Sequence, residues 1–293
     1  MKGPLILSLL SICNAWWCTG HMLGAYIAQV ELMQKYPSIY NTVQSILGPL
    51  NGDLTGNIAN TLTETSCWAD DLKVNKFNEA NTLHYIDKPY NPQGLSIDPT
   101  PTDNIVWAIS NFNNTLIASV TAPLEKSLAL RFLVHFFGDI HQPLHDTTLF
   151  SYSFPNSDYG GNSFKIVYDE NVNNLHKLWD SAIGMLETDL PRPLSSSSWE
   201  TLDQLAQWYT GNYTREDLRY ELQSKSLTSW TLDAYMLAID YVYNGIEVGQ
   251  TPSPEYVALA RQIVMKQITL SGYRLTDYLV SALTPFTQVE LYY

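Results

Sequence analysis

Positive charge is scarce in this sequence. Of the 293 residues only 15% are charged, and 16 Lys and Arg residues stand against 29 Asp and Glu residues, which gives a net charge of −13. So few cations exclude a basic stripe that would attract a long nucleic acid by counterion release. A phosphate-bearing ligand would have to be held locally. Bound metal ions could do this, because they are often the largest charges in a site.

Long apolar runs are also missing. After the first residues, no apolar segment reaches the roughly 18 residues that a membrane-spanning helix needs. The tail at 284–293 has no lipid-anchor or retention signal. With 45% apolar residues, 15 Gly and 15 Pro, the composition is that of a packed globular protein. We expect a soluble protein without a membrane anchor, and we favour a monomer.

The amino terminus has the layout of an export signal. Lys2 supplies the positive charge, a mostly apolar stretch runs to Ile12, and Ala15 is a small residue suited to cleavage. The alternative is a short buried helix. We predict that residues 1–15 are a signal peptide and that Trp16 begins a mature protein that is secreted or enters the lumen of the secretory or endolysosomal pathway.

Cysteine is almost absent, and its few positions fit export. Removal of the signal takes Cys13 and leaves Cys18 and Cys67, which in an oxidising compartment would form one disulfide. A pair of free buried cysteines is the alternative, since separation in sequence does not fix geometry. Two glycosylation sequons, at Asn113 and Asn212, agree with export.

The hydrophobic pattern is that of a mainly helical protein. Apolar residues recur with helical periodicity at 21–35, 53–72, 103–120, 124–140, 174–186, 228–248 and 254–283. One exception is 163–168, where side chains alternate as in a strand, and 151–159 could pair with it as a short β-hairpin. Loops at 87–103 and 190–198 are too short for domain linkers. We predict one domain, 16–293.

Four of the six histidines belong to short groups with an aspartate or another histidine. His135 and Asp139 are four residues apart, which places both on one helix face, and His176 and Asp180 repeat the spacing. His145 follows the proline at which the first of these helices must end. A lone histidine in a helix is more often a core residue, and a lone His/Asp pair is more often a structural hydrogen bond. The repetition instead favours two metal-ligand platforms.

Further ligand-type residues complete a family pattern. His21 opens the first mature helix, Asp70 lies in Trp-Ala-Asp, and His84 lies in His-Tyr-Ile-Asp. The full order is Trp16, His21, Asp70, His84, His135, Asp139, His145, His176 and Asp180. With Gly-Gly-Asn at 160–162 and Gly-Tyr-Arg-Leu at 272–275, it resembles the zinc-dependent single-strand-specific nucleases and 3'-nucleotidases of fungi and plants, the class I nucleases, which are related to bacterial zinc phospholipase C.

The resemblance implies three zinc ions and the helical fold of this nuclease and phospholipase group. Asp70, His84 and His135 would bind one zinc. His21 and Trp16, through its amine and carbonyl oxygen, would bind a second, and Asp139 would bridge the two. The third would be held by His145, His176 and Asp180. Imidazole and carboxylate groups suit zinc. An amine of pKa about 7.7–8.0 can also bind a metal, so cleavage before Trp16 would create a ligand.

The resemblance also assigns residues to catalysis and substrate binding. Asp70 and Lys73 are the expected catalytic residues, with Lys73 standing where fungal relatives have a phosphate-binding arginine; an exposed lysine paired with a carboxylate is the alternative. Tyr85 and Asp87 would bind a nucleobase, by stacking and by accepting N–H groups. Packing by Tyr85 and capping by Asp87 are the alternatives.

Two polar residues near the ligands have other expected roles. His141 is expected to support the structure rather than bind metal, and Asp146 could orient a zinc-binding histidine.

The implied activity is hydrolysis of single-stranded DNA and RNA to 5'-nucleotides, together with 3'-nucleotidase activity. Because stacking requires an unpaired base, single strands would be preferred. A zinc phospholipase C acting on phospholipid head groups is the nearest alternative. Zinc phospholipases have a glutamate where Asp180 stands here, and His-Tyr-Ile-Asp also argues against that reading. A secreted zinc-binding protein without catalysis is the other alternative, against which the presence of His21 and Trp16 argues.

Overall fold

A computed structural model describes residues 16–50, 61–74 and 78–287. The predicted signal peptide, 1–15, lies outside this range. The expectation of a mainly helical protein is confirmed. The helices are α1 Cys18–Lys35, α2 Pro37–Leu47, α3 Leu62–Thr65, α4 Trp68–Val74, α5 Ile105–Ile117, α6 Pro123–Asp139, α7 Pro143–Asp146, α8 Leu175–Asp180, α9 Ser196–Asn212, α10 Arg219–Gln223, α11 Leu227–Leu237 and α12 Pro254–Thr287.

The helices differ from the sequence pattern in several places: α8 ends at Asp180 and α11 at Leu237, before the predicted ends at 186 and 248, and α10 was not predicted. Helix α2 was not expected, although Pro37 occupies a favourable first position. Helix α9 begins within the serine run predicted as a loop, because Ser195 caps it by accepting a hydrogen bond from the Ser198 N–H. In the described part of the predicted helix 53–72, the chain forms the two short helices α3 and α4, with Cys67 between them.

The predicted hairpin is wrong. In the described part of the chain there are two strands, β1 Lys88–Tyr90 and β2 Thr147–Leu149, and they pair in parallel. Within 151–159 and 163–168 the structure has only isolated bridges. The two segments do not pair with each other, because Ser151 forms a bridge with Phe154 and Lys165 forms a bridge with Asn174.

Helices α1, α6 and α12 pack closely and position the site. A Cβ at Gly272 of α12 would lie 2.6 Å from the carbonyl oxygen of Gly24 in α1, so only glycine permits this approach. Every residue of α6 from Leu133 to Asp139 is buried. The ligand-type residues of α1 and α6 therefore lie inside the protein rather than on its surface.

A disulfide joins Cys18, at the start of α1, to Cys67, just before α4. This confirms the predicted pairing and fixes the segment that carries Asp70 against the segment that carries His21. Among the residues that the structure describes, none of the helices combines the length and the apolar character needed to cross a bilayer.

Candidate metal centre

Five of the expected ligands meet around Asp139 at the end of α6. Its Oδ2 lies 2.9 Å from His84 Nδ1 and 3.2 Å from His135 Nε2, and its Oδ1 lies 3.3 Å from His21 Nε2. Asp70 Oδ1 lies 3.6 Å from His135 Nε2 and 3.8 Å from His84 Nδ1. The two oxygens of Asp139 therefore face different ligands, which is the arrangement that a bridging carboxylate requires.

A second group lies where α7 meets α8. His176 Nε2 is 3.2 Å from Asp180 Oδ2 across one helical turn, and the His145 and His176 ring centroids are 5.2 Å apart. Donor atoms of all three residues lie within 4.8 Å of one another. The four-residue spacing in α8 thus brings His176 and Asp180 together, and α7 supplies the third side chain, His145.

Backbone carbonyl groups orient three of the histidines. His135 Nδ1 donates to the Ser66 carbonyl at 2.6 Å, and His145 Nδ1 donates to that of His84 at 2.8 Å. His176 Nδ1 donates to the Gly160 carbonyl at 2.6 Å. Since a carbonyl only accepts, each Nδ1 carries a proton, and Nε2 is the ring nitrogen that faces the donor group and could bind a metal.

Buried donor atoms without hydrogen-bond partners fit a cation. His21 Nε2, His145 Nε2 and Asp139 Oδ1 are inaccessible to solvent and make no hydrogen bond. Leaving such atoms unpaired is unfavourable by roughly 1–3 kcal/mol each. Imidazole nitrogens and carboxylate oxygens are zinc donors, so the residues present fit zinc ions.

The protonation of the histidines also favours metal binding. Burial lowers the pKa of His21, His84 and His145 well below the ordinary value, and neighbouring cations lower it further. These three imidazoles are therefore neutral near pH 7. Burial raises the pKa of Asp139 to about 6 although His135 opposes this change. Burial also acts to raise the pKa of Asp70, but Lys73 and nearby histidines outweigh it, and the pKa is lowered.

Trp16 is fixed between the two donor groups. Its side chain is 1% exposed, and its indole Nε1 donates to the Gly138 carbonyl at 3.0 Å. The next residue, Trp17, donates its backbone N–H to the Asp180 carbonyl at 2.9 Å. Trp16 therefore lies between the two donor groups. Coordination of a metal ion by its amino nitrogen stays a prediction.

Lys73 contacts a candidate ligand. Its Nζ lies 2.8 Å from Asp70 Oδ1, and its side chain is only 6% exposed. The alternative of an exposed lysine does not hold, although the pairing with a carboxylate does. Since its partner is Asp70, the ammonium group of Lys73 lies beside the ligands that surround Asp139.

Tyr85 and Asp87 line a cavity of about 520 Å³ next to the second donor group. The Ile86 N–H bonds to the His145 carbonyl at 2.8 Å, which holds this segment against α7. Asp87 has φ 50°, an uncommon conformation for this residue type. Burial raises its pKa to about 7; Asp158 adds to the rise and His176 opposes it. The cavity walls come from 96–104 and 148–159.

Of two polar residues near the site, His141 has the predicted role and Asp146 does not. His141 is in neither donor group: its Nδ1 donates to the Phe137 carbonyl, and its Nε2 accepts from Arg274 at 2.9 Å. This is the structural role expected of it. Asp146 does not orient a histidine, because both of its carboxylate oxygens lack hydrogen-bond partners. The backbone carbonyl groups do so instead.

The two glycosylation sequons lie on helices. Asn113 in α5 is partly buried, and its Oδ1 accepts a hydrogen bond from the Tyr278 hydroxyl. Asn212 at the end of α9 is exposed. Modification of either residue stays a prediction.

Comparisons with known proteins relate this geometry to nucleases. A family model described as S1/P1 Nuclease matches residues 16–284. Endonuclease 1 of Arabidopsis thaliana is 30% identical over 302 residues, covering 93% of this chain and 88% of that protein. Nuclease P1 of Penicillium citrinum is 29% identical over 287 residues, covering 90% and 96%. Nuclease S1 of Aspergillus oryzae is 35% identical over 181 residues, covering 60% and 56%.

Proposed function

Because the chain belongs to the S1/P1 nuclease family, we propose that it is a secreted, zinc-dependent hydrolase of single-stranded DNA and RNA that also acts on 3'-nucleotides. The observation that carries the proposal is the convergence of eight buried or nearly buried side chains into two adjoining donor groups, with inward-facing nitrogen and oxygen atoms that lack partners. Such a site on a nuclease scaffold favours metal-assisted hydrolysis of a phosphodiester.

Three zinc ions are assigned to the donors. Asp70, His84 and His135 would hold the first, and His21 with the amine and carbonyl of Trp16 would hold the second, with Asp139 shared by both. The third would be held by His145, His176 and Asp180. When bound, zinc activates water near neutral pH and stabilises negative charge on phosphoryl oxygens.

Groups of the chain itself would orient the metal ligands and the substrate phosphate. The carbonyls of Ser66, His84 and Gly160 fix the imidazole tautomers. Lys73 offers a positive charge beside Asp70, where it would contact a phosphate oxygen. The Lys73 ammonium group is a single compact charge and lacks the planar pair of donors of an arginine. Its contact with a phosphate would therefore be less directional.

The cavity at Tyr85 and Asp87 would receive a nucleobase of the substrate. The ring of Tyr85 would stack on the base, and the carboxylate of Asp87 would accept its N–H groups. A base within a duplex cannot stack there, since its faces are already covered by neighbouring base pairs. The products would be 5'-phosphorylated nucleotides.

The test is an assay of purified protein that begins at Trp16. Substrates would be single-stranded and duplex DNA, RNA, a 3'-nucleotide and phosphatidylcholine, each with chelator and with zinc restored. We expect zinc-dependent cleavage of the single strands and the 3'-nucleotide. Turnover of phosphatidylcholine alone would replace the proposal with a phospholipase, and inactivity with all zinc bound would favour a binding protein.

A further inference from the structure

Gly138 lies in the last turn of α6, beside Asp139, and its missing side chain creates space for a candidate ligand. A Cβ built on Gly138 would lie 2.4 Å from Nδ1 and 2.8 Å from Cε1 of His21. Both separations are far below the roughly 3.5–4.0 Å at which carbon atoms pack. Any other residue at this position would force the ring of His21 to move.

Among the residues that the structure describes, the ring of His21 is the group that requires this glycine. The third-nearest atom to the added Cβ is 3.6 Å away and is also in His21, so nothing else would be crowded. The backbone at Gly138 is helical and is not among the positive-φ glycines, so its conformation does not require glycine. In an ordinary helix, alanine would be the more stabilising residue.

The same residue contacts the other ligand expected from the amino-terminal segment. Its carbonyl oxygen accepts the hydrogen bond from the Trp16 indole at 3.0 Å, and it also accepts the backbone N–H of His141. Gly138 therefore touches both Trp16 and His21, which are the ligands assigned to one zinc ion, and it immediately precedes the bridging Asp139.

We propose that Gly138 is a positioning residue that fixes Trp16 and His21 beside Asp139, so that the amino-terminal segment can complete a zinc site. It acts through the absence of a Cβ toward His21 and through its carbonyl toward Trp16. The proposal rests on the zinc site assigned above. It adds that the site needs glycine at position 138 as well as its ligands. Replacement by any other residue would weaken one zinc site and leave the group around His145 and His176 intact.

The first experiment measures zinc bound per chain in Gly138→Ala, with Gly272→Ala as a matched control. Both changes add one methyl group to a crowded helix, but Gly272 meets Gly24 and Ile27 rather than a ligand. We expect Gly138→Ala to bind one zinc fewer per chain than the wild type, while Gly272→Ala keeps the wild-type ratio and melts at a lower temperature. Unchanged zinc in Gly138→Ala, or an equal loss in both variants, would overturn the proposal.

The second experiment is a double-mutant cycle on metal-free protein, followed by thermal unfolding. Gly138→Ala should lower the melting temperature by several degrees when His21 is present and cause no lowering in His21→Ala. An equal lowering of the melting temperature in the wild-type and His21→Ala backgrounds would overturn the proposal. A Gly138→Ala, His21→Ala double variant that does not fold would also overturn it. This readout needs neither metal nor substrate. Failure of the proposed activity would therefore appear only in the hydrolysis assay.

Discussion

At the scale of single residues, the tautomer of each histidine decides which nitrogen can bind a metal. Backbone carbonyl groups accept a hydrogen bond from the Nδ1–H of His135, His145 and His176, so Nε2 is the nitrogen available to an ion. His84 is reversed, because its Nδ1 faces Asp139. These partners are backbone atoms distant in sequence, at Ser66 and Gly160 among others. No side-chain pattern could have predicted them, whereas spacing alone indicated the pairs His135/Asp139 and His176/Asp180, and the other expected ligands came only from the family resemblance.

Lys73 provides a test of charge near the substrate phosphate. Replacing it with Met should lower kcat by about 10²–10³-fold, the range seen when one preorganised transition-state contact is removed. Lys73→Arg should keep most of the activity, because the charge remains. Zinc content, measured in parallel, should be unchanged in both. Equal activity of the Met variant and the wild type on single-stranded DNA would show that Lys73 serves only its ion pair with Asp70.

Tyr85 provides a test of base stacking in the cavity. Tyr85→Ala should raise KM for short single strands by about 10–100-fold, because stacking of a base on an aromatic ring contributes roughly 1–3 kcal/mol. Tyr85→Phe keeps the ring and should retain a KM within about threefold of the wild type. If Ala and Phe give the same KM, the ring packs within the protein and does not bind the base.

At the scale of elements, local spacing was predictable and turn geometry was not. Spacing of four residues placed His135 with Asp139 and His176 with Asp180, since the helix alone determines those distances. The hairpin prediction was wrong because Ser151 pairs with Phe154 and Lys165 with Asn174, and alternation of side chains does not reveal which segment a strand pairs with. Helix α9 was not predicted, and its start fell within a predicted loop because serine is common both in loops and at helix caps.

The ion pair between α1 and the segment before α10 should make stability depend on pH. Burial acts to raise the pKa of Glu31, but hydrogen bonds from Arg215 and Lys35 outweigh it and hold the pKa below its ordinary value. Because the folded pKa is depressed, the stabilisation is complete above the unfolded pKa of about 4.3 and is lost as the pH falls through the folded pKa. At pH 7, Glu31→Gln should destabilise the fold by about 1–3 kcal/mol.

The measurement is thermal unfolding of Glu31→Gln and wild type from pH 7 to pH 3. Their melting temperatures should converge at the acidic end. The control is Glu216→Gln, which removes an ion pair with Arg219 that is exposed to solvent and should change the melting temperature little. If the difference in melting temperature between Glu31→Gln and the wild type stays constant down to pH 3, the charge of Glu31 does not provide the stabilisation.

At the scale of the whole molecule, a net charge of −13 must be reconciled with an anionic substrate. Three divalent cations would add six positive charges at one place, so the attraction would be local. The salt dependence of cleavage should therefore be shallow. We expect log(kcat/KM) for a long single strand to fall with log[salt] with a slope no steeper than about −1, as few phosphates are contacted. A slope of about −4 would indicate an extended basic surface that the sequence lacks.

Removal of metal should destabilise the protein as well as inactivate it. Each ion that binds only the folded state adds stability, roughly 4 kcal/mol at a free concentration 1,000 times Kd. The melting temperature should fall on adding a chelator and recover when zinc is restored. The same melting temperature with and without chelator would mean that the donor groups are folded and stable without ions.

Zinc in the two donor groups can be located by anomalous diffraction, recorded at the zinc absorption edge, from crystals of the protein that begins at Trp16. We predict three peaks: one among Asp70, His84 and His135, one beside Trp16 and His21, and one among His145, His176 and Asp180. Both of the first two should contact Asp139. Absence of zinc peaks at these residues in zinc-loaded, active protein would contradict the account.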